Sequence, residues 1–372
     1  MHKTVLITGG AGFIGSHLAD ELLARGYQVR ALDNLSPQVH GTDRGRPGYL
    51  DSQVELLVGD VRDAEALRRS LRGVDAVFHL AAMVGVGQSM YEVSQYTEVN
   101  NQGTANLLQL LIERPVEKLV VASSMSLYGE GLYRTPVGDL LPGSERSLQQ
   151  LKLKDWELHD LDGSILTPVP TPETKTPSLA SVYALSKYDQ ERLALIIGRA
   201  YQLPTVALRF FNVYGTRQAL SNPYTGVMAI FASRLMNEKA PMIFEDGLQQ
   251  RDFVSVHDVA RACRLALESP TATGCVLNVG SGEQYTIKNL AQQIARVMGK
   301  DEIQPEITGK YRVGDVRHCV ADISLARQVI GYEPRVSLDK GLGELVAWLE
   351  DQVAVDRVEQ ASAELSARGL TV

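Results

Sequence analysis

Cysteine is scarce: only Cys263, Cys275 and Cys319 occur in 372 residues. An odd count without metal-ligand spacing excludes a disulfide scaffold and a zinc finger, and reduced thiols in the cytoplasm are the expectation. Basic charge is also short. Lys and Arg number 37 against 44 Asp and Glu, a net charge of −7, which argues against a nucleic-acid binder because phosphate backbones demand a basic surface. No apolar run of about 18 residues exists, so no membrane span is expected. The opening Met1-His2-Lys3 and Thr4-Val5-Leu6-Ile7 is broken by Gly9-Gly10 too soon to be a signal peptide. The seven histidines lack metal-ligand spacing, and no metal is expected. Disorder is excluded by an apolar content of 44%. A length of this order suggests about two domains.

What is present is a rhythm of strands and helices. Val5-Leu6-Ile7, Gln28 to Leu32, Val54 to Val58, Ala76 to Leu80 and Lys118 to Ala122 read as strands. His17 to Arg25, Asp63 to Leu71 and Gln102 to Glu113 read as helices between them. Strand runs return at Thr205 to Phe210 and Cys275 to Val279. This alternation predicts an α/β fold, a doubly wound parallel sheet, with a smaller α/β domain for substrate. Residues 129–180 break the rhythm with charges and prolines, and are either a functional loop or a small insert. Asp356 to Arg368 reads as an amphipathic helix in a tail.

Thr8-Gly9-Gly10-Ala11-Gly12-Phe13-Ile14-Gly15 lies between a strand and a helix. Glycines there permit a tight turn and close approach to a pyrophosphate, which the free N–H groups of the helix would bind. Asp33 ends the second strand, where a carboxylate accepts hydrogen bonds from ribose hydroxyls and repels a 2′-phosphate, so NAD is expected over NADP. Asp60 follows the third strand, where an adenine amino group could be read. Tyr183 and Lys187 sit four apart on one helix face, so an ammonium can stabilise a phenolate. Tyr183 is then a candidate general base toward a sugar hydroxyl. Ser124, at the carboxyl end of a strand, can hydrogen-bond the reacting oxygen.

In combination these motifs resemble the extended short-chain dehydrogenase/reductase family of nucleotide-sugar epimerases and dehydratases. The resemblance also rests on Asp33-Asn34-Leu35, His79-Leu80-Ala81-Ala82, Asn100 before Gly103-Thr104, and Ser123-Ser124 before Tyr128-Gly129. Further on come Arg209 to Gly215, Arg251 to Val254, Asn278 to Gly282 and Arg312 to Asp315. It spans about residues 3–350 and implies an NAD-binding domain over 1–212, with an insert at 129–170 and a return at 253–280. Residues 213–252 and 281–350 would bind substrate, and 351–372 form a helical tail. It implies NAD contacts from Gly9, Gly12, Phe13, Ile14, Gly15, Asp33, Asn34, Asp60, Val61, Leu80, Ala81, Ala82, Asn100, Ser123, Tyr183 and Lys187. Catalysis falls to Ser124, Tyr183 and Lys187. Substrate contacts fall to Val84, Ser126, Asn212, Val227, Phe244, Arg251, Arg312 and Asp315, with the three basic or amide residues on the diphosphate.

Dehydrating members of the family place an Asp-Glu pair after the serine; Met125 and Ser126 stand there, which implies 4-epimerisation through a transient 4-keto sugar. The loop Val84-Gly85-Val86-Gly87 lacks the lysine common in UDP-galactose-type epimerases. The long insert is similar to that of bacterial dTDP-sugar epimerases, which implies a dTDP-6-deoxyhexose such as dTDP-L-rhamnose. Val84 and Met125 either suit its methyl group or simply pack. A UDP-glucose-type 4-epimerase and a 4-ketoreductase remain the alternatives. Trp156 either anchors the insert or covers the sugar. The resemblance also implies a homodimer built on Asn101 to Glu113 and the helix beginning near Tyr183.

Overall fold

The computed structural model describes residues 3–42, 45–220, 222, 226–312, 314–352 and 358–371. One parallel sheet organises the chain. Its strands are β1 (Thr4–Thr8), β2 (Gln28–Asp33), β3 (Glu55–Val58), β4 (Ala76–His79), β5 (Lys118–Ser124), β6 (Thr205–Phe210) and β7 (Val276–Val279), in the order β7-β6-β5-β4-β1-β2-β3. The longer helices are α1 (Phe13–Leu23), α2 (Gly103–Glu113), α3 (Val182–Ala200), α4 (Val227–Met236), α5 (Val256–Glu268), α6 (Ile287–Val297), α7 (Leu338–Leu349) and α8 (Val358–Ala367).

Side chains alternate across a strand, and here both faces are covered. Val5 and Ile7 of β1 join Val120, Leu208 and Leu277 beneath Leu18 of α1 and Val259 and Cys263 of α5. Leu6 points the other way, with Val77, Leu119 and Val121, against Leu107 and Leu111 of α2 and Ala194 of α3. This double burial is why the strands read as continuous apolar runs. A second core lies beyond the sheet, where Phe231 and Leu235 of α4, Leu290 and Ile294 of α6, and Leu342 and Leu345 of α7 pack together.

The expected strands form within a residue or two at most. β5 runs on to Ser124, because Ser123 and Ser124 pair with Arg209 and Phe210 of β6. The helix expected from His17 begins four residues earlier, at Phe13, with Gly12 as its N-cap. The helix expected from Gln102 begins at Gly103 and continues a π-helical turn, Thr97–Gln102. The return expected from 253 starts later: Phe253–Ser255 pairs with Asn212–Tyr214 outside the main sheet, and α5 carries the chain back to it. The region expected to be irregular contains a small antiparallel sheet of Leu132–Arg134, Leu140–Pro142 and Thr167–Val169. Three-residue strands are too short to leave a periodic signal. Of the expected tail helix, Asp356 and Arg357 lie outside the described residues, and α8 forms the rest to Ala367. Among the described residues no helix is long and apolar enough to cross a membrane.

Candidate active site

The strand order reverses between β1 and β4, so the loops after these strands diverge and open a crevice at their carboxyl ends. Residues 9–15 form one wall. Gly9 has φ +72°, which favours glycine, and a Cβ on it would press against the Ala81 backbone at 3.0 Å. A Cβ on Gly15 would lie 2.3 Å from the Gly9 carbonyl oxygen, so α1 could not approach the turn. No side chain caps α1 and its first turn carries no acidic residue, which leaves its N–H groups available to an anion. The turn therefore fits a pyrophosphate. Asp33 fits the ribose beside it: its Oδ2 accepts from Ala11 N at 3.0 Å and Oδ1 from Leu35 N at 3.0 Å, which aims the carboxylate. His40 Nε2 lies 3.5 Å from Asp33, and Tyr49 donates to the Ala11 carbonyl at 2.8 Å. Burial pushes the Tyr49 hydroxyl up to about 12, so it remains a donor. Sequence reasoning missed both residues, since neither stands in a motif.

Asp60 is already occupied. Arg62 donates to it through its backbone N and two guanidinium nitrogens at 2.9, 3.0 and 2.8 Å, and Asn34 donates at 3.0 Å. These bonds, led by those of Arg62, hold its pKa down to about 2. Asp60 thus braces Asn34, and direct adenine reading by its carboxylate would have to displace a partner. Val61 is buried under α2, where a Cβ on Gly103 would come within 2.6 Å of it. Leu80, Ala81 and Ala82 line the loop after β4, half-buried beside Gly9.

Tyr183 hangs from the first turn of α3, which Ser181 caps by accepting from Ala184 N at 3.1 Å. Burial pushes the Tyr183 hydroxyl up, and its hydrogen bond with Ser124 pulls it back. Ser124 Oγ accepts in addition from Ser126 Oγ at 2.9 Å. Tyr96 stacks edge-on to Tyr183, with ring centroids 6.4 Å apart, and donates to the carbonyl of Val84 at 2.7 Å. Tyr96 thus ties the Val84 loop to the Tyr183 ring, a link with no sequence signature. Lys187 is almost fully buried, and burial lowers its pKa to about 7 against the opposing pull of the Glu191 carboxylate.

Two residues expected to touch the cofactor spend their side-chain hydrogen bonds within the protein. Ser123 donates to Glu191 at 2.7 Å, within the buried pair that Glu191 makes with Arg209 at 2.7 Å. Asn100 is completely buried; it accepts from Met83 N at 2.7 Å and donates to Met83 O at 3.0 Å and Ser186 Oγ at 2.9 Å. It fixes the loop after β4 to α3, and so positions the crevice from below.

The substrate-side residues converge. Arg312 lies over the Phe244 ring at 4.6 Å and 3.4 Å from Asp315, and Arg251 lies 3.7 Å from the same carboxylate. Burial pushes Asp315 up, but Arg312, Arg251 and Arg146 outweigh it and hold its pKa below the usual range. Gly314 packs on the Ala180 carbonyl, just before α3, which joins this loop to the start of α3. Arg251 donates to the backbone carbonyls of Gln250 and Arg317, each at 2.9 Å, and to that of Val316. It braces the loop, while Arg312, with 43% of its side chain exposed, is the arginine that faces outward. Asn212 Oδ1 is buried with no hydrogen-bond partner among the described residues, and Val227 opens α4.

The insert holds this loop through buried charge. Arg317 is fully buried against Glu157, Glu245 and Asp246, at 2.5, 3.0 and 2.7 Å. Trp156 anchors the insert, its ring 6.2 Å from that of Tyr311. The tail reaches the same place. Leu365 of α8 packs over Gly87, Arg368 lies 4.3 Å above the Tyr91 ring, and Thr371 bridges antiparallel to Arg312. The tail thus spans from the loop after β4 to the outward arginine. Truncation after Arg368, which keeps the Leu365 packing, is expected to raise KM about three- to tenfold with kcat unchanged, as loss of uniform binding does. Steady-state kinetics on the truncated chain checks this, and an unchanged KM would remove the tail from the site.

A profile of the NAD dependent epimerase/dehydratase family matches residues 5–148 and 164–280. The dTDP-L-rhamnose 4-epimerase of Burkholderia thailandensis is 36% identical over 94% of this chain and 96% of its own. The crystal structure of UDP-glucose 4-epimerase from Thermotoga maritima with UDP-glucose superposes with a TM-score of 0.76, at 33% identity over 93% of this chain and 98% of that one. UDP-glucuronic acid 4-epimerase from Bacillus cereus, in complex with UDP-glucuronic acid and NAD, gives 0.76 at 28% identity over 93% and 99%. On the profile match and these relatives, the chain belongs to the NAD dependent epimerase/dehydratase family and is an NAD-dependent nucleotide-sugar epimerase.

Proposed function

We propose that the enzyme inverts carbon 4 of a dTDP-6-deoxyhexose such as dTDP-L-rhamnose, through a transient 4-keto sugar. The observation that carries this reading is the surroundings of Ser124. Met125 packs into the main core and Ser126 donates to Ser124, so no carboxylate stands there to eliminate water. Val84 is 47% exposed in a loop without charge, which suits a methyl group better than a hydroxymethyl or carboxylate. The similarity to the Burkholderia thailandensis enzyme along nearly the whole chain supports the same substrate class.

NAD, when bound, supplies the hydride acceptor and donor for carbon 4. The chain's own residues handle the proton. Tyr183 takes it from the 4-hydroxyl and returns it after the sugar has turned, Ser124 holds the reacting oxygen, and the Lys187 ammonium favours the phenolate. Asn212, Arg251 and Arg312 hold the diphosphate, Asp315 accepts from a ribose hydroxyl, and Phe244 lies beside the base. Incubation with a panel of dTDP- and UDP-sugars, without added cofactor, tests the reading. The expected result is conversion of dTDP-L-rhamnose to its 4-epimer with no net change at the reduced-nicotinamide band. Turnover confined to UDP-glucose, or steady consumption of NADH or NADPH, would sink it.

A further inference from the structure

Lys187 and Tyr183 accounted for, one buried polar side chain beside them has no role in the reading above. Gln190 is 1% exposed, one turn along α3 from Lys187. Its Oε1 accepts from Lys187 Nζ at 2.6 Å, and its Nε2 donates to Thr104 Oγ1 at 2.8 Å. Thr104 is in turn bound on every side. Its hydroxyl lies 2.5 Å from the Asn100 carbonyl, to which it can only donate, and His79 Nε2 lies 2.8 Å from its oxygen.

These contacts settle the direction of each hydrogen bond. A hydroxyl has one donor and two acceptor positions. Thr104 gives its proton to Asn100 and accepts from both Gln190 and His79, which puts the His79 proton on Nε2 and makes the 3.3 Å approach of Gln190 Nε2 to His79 Nε2 one between two donors that share Thr104. His79 Nδ1 then accepts from Thr8 Oγ1 at 2.8 Å, and Thr8 accepts from Ala81 N at 3.3 Å. Burial, with the Lys187 charge, holds His79 neutral, its pKa lowered to about 3. The chain from Ala81 through Thr8, His79 and Thr104 to Gln190 therefore has one consistent polarity. It fixes the Gln190 amide with oxygen toward Lys187, since the opposite flip would face two donors at that end and two acceptors at the other.

We infer that Gln190 is the positioning residue of the lysine: anchored through Thr104 and His79 to the strand of the glycine turn, it gives the Lys187 ammonium a fixed acceptor that carries no charge and no titratable proton. This inference rests on the catalytic reading of Lys187 above. A neutral acceptor matters here. A carboxylate in its place would cancel the positive charge that Tyr183 needs, whereas an amide oxygen supports the ammonium without doing so. The inner side of the lysine also offers no exit for a proton, because Gln190 and Thr104 pass none on. That suits a reaction in which the proton taken from the sugar oxygen is given back to it, with no net exchange. Among the described residues, the charged or titratable groups that act on Lys187 are Glu191 on its own helix and His79 from β4. Glu191 is held by Arg209 at 2.9 and 2.7 Å, and His79 is neutral, so Gln190 is the close partner of the ammonium.

Gln190→Met keeps the length and removes the acceptor. The lysine then holds its proton less well, so the alkaline limb of the kcat profile, where Lys187 loses its charge, moves to lower pH. The expected shift is about half to one unit, with kcat at pH 7 down about three- to tenfold and KM within about twofold. Thr104→Val removes the anchor of Gln190 while leaving Lys187 its partner, and should move the limb the same way by less; it also serves if Gln190→Met folds poorly. An alkaline limb that stays in place in both variants overturns the inference, even if their melting temperatures fall, since a merely structural role predicts only that. Wild-type turnover in Lys187→Met would instead overturn the catalytic reading beneath it.

Discussion

Tyr183→Phe is expected to lower kcat by about 10²- to 10⁴-fold, the range of a lost general base, with KM within about threefold. The substitution removes one oxygen and little else. The ring keeps its edge contact with Tyr96, and Ser124 keeps the hydrogen bond from Ser126 at 2.9 Å. Folding and cofactor retention should therefore be unchanged, which thermal melting and the nicotinamide absorbance of the denatured protein would verify. The pH dependence follows from the same groups. Turnover needs the phenolate, so activity rises with pH on the acid side. Lys187 carries its charge below about 7 and loses it above, so support for the phenolate weakens as the pH climbs. The outcome is a bell whose alkaline limb follows Lys187 and should vanish in Lys187→Met. Wild-type kcat in Tyr183→Phe would end the assignment of Tyr183 as the base.

Much of this site was legible because its chemistry is local in the chain. The glycine turn is a demand on the backbone, and at Gly15 the demand is a 2.3 Å clash that any side chain would make. Tyr183 and Lys187 share a helix face by spacing alone, and Ser124 sits where a parallel strand must end. The convergence of Arg312, Asp315 and Phe244 was likewise expected, and the fold brings them together. What was not legible depends on distant partners. Ser123, Asn100 and Asp60 are of the right types in the right motifs, yet each spends its polar atoms on the protein and shapes the site from behind. Tyr96, His40 and Gln190 lie outside the glycine, serine and tyrosine–lysine motifs, and their positions follow from packing. The insert is the plainest case. Its prolines and charges read as an irregular loop, because the residues that neutralise those charges lie more than a hundred positions away in Arg317 and its neighbours.

That buried cluster carries the second large expectation. Arg317→Met should destabilise the protein by about 3–5 kcal/mol, the range for removing one partner of a buried ion pair. Arg317 has no exposed surface, and its guanidinium serves Glu157, Glu245 and Asp246 together. Arg146 still pairs with Glu245 at 2.9 Å, and His318 still meets Glu157 at 3.0 Å, so the cluster would be weakened without being emptied of positive charge. In the native protein burial pushes Glu157 up, but hydrogen bonds from His318 and Arg317 and the charge of Arg317 win and hold it down to about 2. A carboxylate whose folded pKa lies below its unfolded value contributes stability that is present above the unfolded value and lost as the pH falls through the folded one. Without Arg317 the sign reverses, because the remaining carboxylates gain protons on folding. The gap in melting temperature between wild type and variant should thus be widest near pH 7 and narrow toward pH 5. Function should suffer with stability, since the carbonyls of Val316 and Arg317 receive Arg251 and set the loop that carries Arg312. KM for the nucleotide sugar is expected to rise more than kcat falls. A melting gap that is constant with pH would mean that lost packing, and not unpaired charge, is what the arginine prevents.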